Sequence, residues 1–167
     1  MENKVANKAI ETIDLLKLID TNLIKGFDIK PFLFQGQILR EKEFRAGLKA
    51  FDFKTYQHQQ IYIHCSFDAI VPMWAYMLLS SYFSDLLIPH IFAKDLNEAI
   101  NKFVELAIQN LDVKQFEGKR VIVKGCSGKI SLNEQNYIKI TEKLKPRAKA
   151  ISYGEACSMV PISKNRL

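Results

Sequence analysis

Apolar positions recur along this chain in two different periods. Four short segments, QIYIHC (60–65), LLIPHIF (86–92), RVIVKG (120–125) and AKAISYG (148–154), have the length of strands and return about every thirty residues. Between them the pattern changes to that of helices. MWAYMLLSSYF follows Pro72 and is apolar on nearly all sides, which predicts a well-buried helix. Leu96, Ile100, Phe103, Val104, Ala107, Ile108 and Leu111 mark the apolar face of a second helix, opened by Asp95 and Glu98 placed as a capping box. Tyr137, Ile140 and Leu144 mark a third, opened by Ser131 with Glu134 and stopped by Pro146.

Strands alternating with helices at this spacing predict an α/β fold: a single three-layer domain whose mainly parallel sheet is joined by right-handed crossover helices. Pro89 lacks a backbone N–H, so the second strand is expected at an edge or shorter than its apolar run. Residues 1–55 are less regular. AIETIDLLKLI suits a short helix or a strand, GFDIKPFLFQGQIL mixes turn and apolar signals, and REKEFRAGLKAF (40–51) reads as an amphipathic helix despite Gly47. This segment is expected to cover a face or edge of the sheet, and residues 56–167 carry the repeated strand–helix units. No linker rich in Pro, Gly or Ser divides the chain, so 1–167 reads as one domain.

Composition changes this picture little. With 167 residues, 48% hydrophobic and 25% charged, the chain can bury a sizeable core, which excludes a disordered polypeptide. The longest apolar run, Ala69 to Leu79, falls short of the ~20 residues that cross a bilayer. MENKVANKAIETID carries charges where a signal peptide is apolar, so a cytoplasmic protein is expected.

Charge is unevenly placed. Residues 111–167 hold 12 Lys and Arg against 5 Asp and Glu, a surplus of 7, while the preceding residues hold 12 against 13. The lysines in that basic third (Lys119, Lys124, Lys129, Lys139, Lys143, Lys145, Lys149) are dispersed, as on solvated faces, which argues against nucleic acid. A small anionic ligand or another protein is the partner that such a surface suits.

The candidate chemistry lies in the cysteines. There are three, an odd number in a chain whose core needs no staples, so reduced thiols are expected. Each is followed by serine (Cys65-Ser66, Cys126-Ser127, Cys157-Ser158), and each falls at the carboxyl end of a predicted parallel strand: IYIHCS, VIVKGCS and ISYGEACS. In an open α/β sheet ligands bind at that edge, where loops leave the strands and helix N-termini present free N–H groups.

One reading is a metal site, zinc or an iron–sulfur cluster, held by Cys65, Cys126 and Cys157 with Asp68, Glu155, a histidine or an exogenous ligand in the fourth position. Adjacent strands ~4.8 Å apart can place two sulfurs on one ion, and Cys157, beyond its strand, supplies the reach for a third. Ser66, Ser127, Gly128, Lys129 and Ser158 flank the sulfurs as candidate cofactor-binding residues, and the glycines of GCSGK let backbone N–H groups approach an anion. That loop is not a Walker loop, since Ile130 follows Lys129 where Ser or Thr is required.

A second reading is thiol chemistry, with Cys126 or Cys65 as nucleophile and another cysteine resolving the intermediate. A third has the cysteines as small buried hydrophobes in a binding module. No CxxC pair decides among them. His64 should point to the face opposite Cys65, His90 reads as a satisfied core or edge residue, and His58 as exposed. Asp68 either caps the helix after Pro72 or faces the site. Trp74, Tyr76 and Met77 read as core, and Arg40, Glu41, Glu43 and Arg45 as a solvated helix face.

HCSFDAIVPMWAYMLL, VIVKGCS and YGEACSMVP resemble signature segments of a bacterial family catalogued as domain of unknown function 2480, and the resemblance runs over most of the chain. In that pattern the last segment has proline before the cysteine and threonine two places after it. Here Ala156 and Met159 stand there, while Gly154, Glu155, Cys157, Ser158, Val160 and Pro161 match. The resemblance implies no established activity, cofactor or catalytic residue; it implies a link to iron–sulfur assembly systems.

Overall fold

The computed structural model describes residues 10–127 and 130–165, with Cys126 and Ser127 through their backbone alone. The chain is a mixed α/β protein whose sheets are mainly parallel, with an irregular N-terminal part. The described residues form two compact units, one from Thr21 to Ile100 and the other from the stretch up to Asp20 together with Asn101 onward. Each has its own sheet, so the strands expected side by side in one sheet are distributed over two.

In the Thr21–Ile100 unit the strands are β2 (Ile24–Asp28), β3 (Gln60–His64) and β4 (His90–Phe92), all parallel in the order β2-β3-β4; β1 belongs to the other unit. The N-terminal segment thus contributes an edge strand of its own. Pro89 acts as expected: β4 is three residues long and lies at the opposite edge, and the Pro89 carbonyl accepts from Ile61 N–H at 2.8 Å.

Helix α1 (Glu41–Ala50) buries Phe44 and Leu48 and carries Glu41 and Glu43 in its first turn, where the helix dipole favours anions. Gly47 leaves room for the Phe32 ring, which a Cβ there would meet at 3.0 Å. Helix α2 (Met73–Asp85) corrects an expectation. Only the stripe Ala75, Leu79 and Phe83 is fully buried, at the i, i+4, i+8 spacing of one helix face, while Met73 and Met77 are 74% and 73% exposed.

The core beneath α1 and α2 is aromatic. Phe27, 1% exposed, has ring partners in Phe32, Phe51, Phe53, Tyr56 and Phe83, with centroids 5.4 to 6.0 Å away in stacked and edge-to-face arrangements.

Helix α3 (Leu96–Asn110) contains the division between the units. Its start is close to the expected capping box: Asp95 Oδ1 accepts from Glu98 N–H at 2.8 Å, and Glu98 Oε2 reaches back to Lys94 N–H at 2.7 Å, one residue beyond the cap.

The other unit contains β1 (Ile10–Asp14), β5 (Arg120–Lys124), the short strands β6 (Cys126–Ser127) and β7 (Ile130–Ser131), helix α4 (Glu134–Leu144), β8 (Ala150–Glu155) and β9 (Ser158–Lys164). Its four-stranded sheet has the order β1-β5-β8-β9; the first three strands are parallel, and β9 returns antiparallel to β8. The ambiguous AIETIDLLKLI is both of its alternatives in turn, strand β1 followed by a 3-10 turn at Leu15–Leu18. Helix α4 starts later than Ser131 and Glu134 suggest. Asn133 is its cap, accepting from Asn136 N–H at 3.3 Å, because Ser131 is already committed to the β6–β7 ladder opposite Cys126. No helix among the described residues is long and apolar enough to cross a membrane.

Candidate functional site

At the carboxyl edge of the β2-β3-β4 sheet, the register pairs Asp28 with His64, so the last residues of β2 and β3 stand side by side. Beyond them the ladder stops and backbone donors need other partners. Asp28 supplies them. Its Oδ1 accepts from Lys30 N–H at 3.0 Å and Ser66 N–H at 2.9 Å, and its Oδ2 accepts from the Ser66 hydroxyl at 2.6 Å. Ile29 N–H adds a 2.8 Å bond to the His64 carbonyl. One carboxylate thereby ties the turn after β2 to the His64-Cys65-Ser66 turn after β3. Burial opposes ionisation of Asp28, but the hydrogen bonds from the Ser66 side chain and the Lys30 and Ser66 backbones, with His64 nearby, outweigh it and hold the carboxyl below its ordinary range.

His64 and Cys65 take opposite faces, as strand alternation requires. The His64 ring stacks on Tyr62 with centroids 5.2 Å apart, and a Cβ at Gly26 would stand 2.9 Å from both rings, which explains the glycine. Cys65 packs half-buried against the aromatic core, with Tyr76 of α2 close enough that burial and then the Cys65 charge raise the tyrosine hydroxyl above its ordinary value. Asp68 is exposed and does not cap α2, whose cap is Pro72 with no side-chain bond. His90 is fully satisfied: Nδ1 donates to the Ile88 carbonyl at 2.8 Å, which leaves Nε2 to accept from the Ser80 hydroxyl at 2.7 Å. His58 is exposed.

The second edge lies in the other unit, at the carboxyl ends of β5 and β8. Val123 is in register with Tyr153, and just beyond them Lys124 makes an ion pair with Glu155. Cys126 and Cys157 each follow that pair by two residues, beyond the ends of the adjacent parallel strands β5 and β8. Cys157 is exposed in the turn between β8 and β9, where Ser158 pairs with Glu155. Gly125 precedes Cys126, and a Cβ there would fall 2.1 Å from the Tyr137 hydroxyl. Tyr137 packs edge-on against Tyr153, and the two help line a cavity of about 290 Å³ beside Val123 and Ile151.

Beside β7 is a buried amide cluster. Asn101 Oδ1 accepts from Asn133 N–H at 2.6 Å and Asn136 Nδ2 at 2.9 Å, and Asn101 Nδ2 donates to the Ser131 carbonyl at 3.2 Å. These bonds anchor the chain between Ser131 and Asn136, just after the β6–β7 pairing that includes Cys126.

The sequence candidates therefore divide. Ser66 is gathered into a tight hydrogen-bonded turn beside Cys65, and Glu155 and Ser158 lie beside Cys157. Cys65 belongs to one unit and Cys126 and Cys157 to the other. Gly128 and Lys129 lie outside the described residues, and Ser127 enters through its backbone pairing with Ile130. Among the described side chains, which do not include that of Cys126, no three His, Cys, Asp or Glu are grouped to hold a metal. Sequence reasoning missed Asp28. Its available signal was the short stretch from Ile24 to Phe27 leading to a carboxylate, weakened by Lys25 and by the glycine that Tyr62 requires, which break the alternation.

A family model described as "Protein of unknown function (DUF2480)" matches residues 1–165. The chain belongs to this family. The match takes in all three cysteines and both cysteine-bearing edges, so Asp28, Ser66, Lys124 and Glu155 all lie within the family domain. No curated protein and no solved structure matches the chain.

Proposed function

We propose that this family member is a cytoplasmic metal-handling protein that binds zinc or an iron–sulfur species through Cys126 and Cys157, the two cysteines that share one unit. Glu155 serves as the oxygen ligand, and the neighbouring serines serve as hydrogen-bond donors. The observation that carries this reading is positional: Cys126 and Cys157 each stand two residues beyond the carboxyl end of a parallel strand, and those strands, β5 and β8, are hydrogen-bonded neighbours. Strands ~4.8 Å apart suit two thiolates on one ion with metal–sulfur bonds of about 2.3 Å. Glu155 is 60% exposed and held by Lys124, so it can exchange that cation for a metal at little cost.

Elemental analysis and an ultraviolet–visible spectrum of anaerobically purified protein test the proposal. Metal at a fixed ratio to chain, lost in both Cys126→Ser and Cys157→Ser, is the expected result. Metal-free wild-type protein that takes up neither zinc nor iron on reconstitution refutes it.

Thiol chemistry is the second reading, and the neighbourhood of Tyr76 favours it, since the Cys65 charge adds to burial in raising the tyrosine hydroxyl above its ordinary value. Selective alkylation of Cys65 near neutral pH, slowed or accelerated in Tyr76→Phe, supports it; equal labelling of all three cysteines in both proteins counts against it.

A further inference from the structure

A cleft of about 410 Å³ runs along the edge strand β1, between its carboxyl half, the 3-10 turn at Leu15–Leu18 and the Leu111–Phe116 segment leading into β5. It belongs entirely to the unit that carries Cys126 and Cys157. Its size lies within the ~300–1,000 Å³ of small-molecule sites, and it sits towards the carboxyl ends of parallel strands, where open α/β sheets bind ligands.

The lining is of two kinds. Leu18, Leu111 and Phe116 form an apolar wall, and Asp14, Lys17 and Lys124 bring charge to the same cleft. Two of those charges are already engaged. Asp14 Oδ1 accepts from Leu16 N–H at 3.2 Å, and Lys124 pairs with Glu155. Lys17 has no side-chain partner among the described residues. With Glu155 counted, two ammonium groups face two carboxylates, and Lys17 is the cation of the cleft that no carboxylate pairs among the described residues.

We propose that this cleft binds a small organic monoanion, a carboxylate carried on an apolar body of one or two rings. The carboxylate pairs with Lys17, and with Lys124 when Glu155 yields it, while the body covers Phe116 and its aliphatic neighbours. The Lys17 contact and the apolar wall do not depend on the cysteines; only the Lys124 contact is shared with the proposed metal site, through Glu155.

The test is a titration of the isotope-labelled full chain by amide NMR with 1-naphthoate, with the neutral 1-naphthamide as its control. Naphthoate is expected to shift amides in residues 12–18 and 111–124, and the amide to bind about tenfold more weakly, as loss of one charge-assisted contact predicts. Lys17→Met should weaken naphthoate about tenfold and leave the amide unchanged. Asp14→Asn, which keeps the oxygen that caps Leu16 and removes the repelling charge, should tighten it. Lys17 is exposed, so its variant retains the fold. Shifts confined to other segments, equal binding of acid and amide, or no response to either substitution would overturn the proposal.

Discussion

Neutralising Asp28 should remove one acid-sensitive clamp from the Thr21–Ile100 unit. Its carboxylate takes three hydrogen bonds, the shortest being the 2.6 Å bond from the Ser66 hydroxyl. Bonds to a charged acceptor contribute roughly 1.5–3 kcal/mol each where water is excluded. Ser66 is exposed, so water replaces much of what is lost, and Asp28→Ala should cost about 1–2 kcal/mol in total. Asp28→Asn retains an oxygen for the two backbone donors and should cost about half as much. The pH dependence separates charge from shape. Because the folded carboxyl ionises below its unfolded value of about 3.9, its contribution is complete above that value and disappears as pH falls through the lower, folded value. The wild-type advantage over Asp28→Asn should therefore be full at pH 7 and shrink progressively below about pH 5. Trp74, the sole tryptophan, packs edge-on to Phe44 in this unit, so its fluorescence during urea unfolding follows the relevant transition. A gap between the two proteins that stays constant from pH 7 to about pH 2.5 would refute the assignment of a charged clamp.

Three further outcomes follow from the packing. Phe27→Ala, which removes a ring with five aromatic partners, should destabilise the Thr21–Ile100 unit by about 3–5 kcal/mol in the same urea assay, with Phe27→Leu well below that. Gly125→Ala should cost about 1–3 kcal/mol through the Tyr137 hydroxyl, and adding Tyr137→Leu should recover much of it in a thermal-unfolding double-mutant cycle; simple additivity would show that the ring moves aside freely. Asp95→Ala should cost about 1 kcal/mol and speed amide exchange at Glu98, whose N–H it caps.

Much of the local structure was legible along the chain. The alternation in QIYIHC and RVIVKG and the helical period from Leu96 to Leu111 each depend on neighbours within a few residues, and β3, β5 and α3 formed where those periods lie. Pro89 marked its strand as short and marginal because a missing N–H has the same effect in any sheet. Ser131 misled because a serine three residues before a glutamate looks the same whether it ends a strand or starts a helix; only the Cys126–Ser131 pairing distinguishes the two. The all-round apolar MWAYMLLSSYF misled in the opposite way, since hydrophobicity alone cannot say that Met73 and Met77 are left exposed.

By itself, then, the amino-acid order determined the class of fold, most of the elements and the placement of every cysteine at a strand end, because these depend on short-range periodicity and backbone chemistry. Which strands became neighbours was decided by tertiary structure. β1 joined β5, and β2 joined β3, through contacts between residues distant in the chain, and this divided the expected single sheet into two. Asp28 meets Ser66 across 38 residues for the same reason. A carboxylate at the end of one strand acquires a role only when register sets it beside the unpaired donors of another.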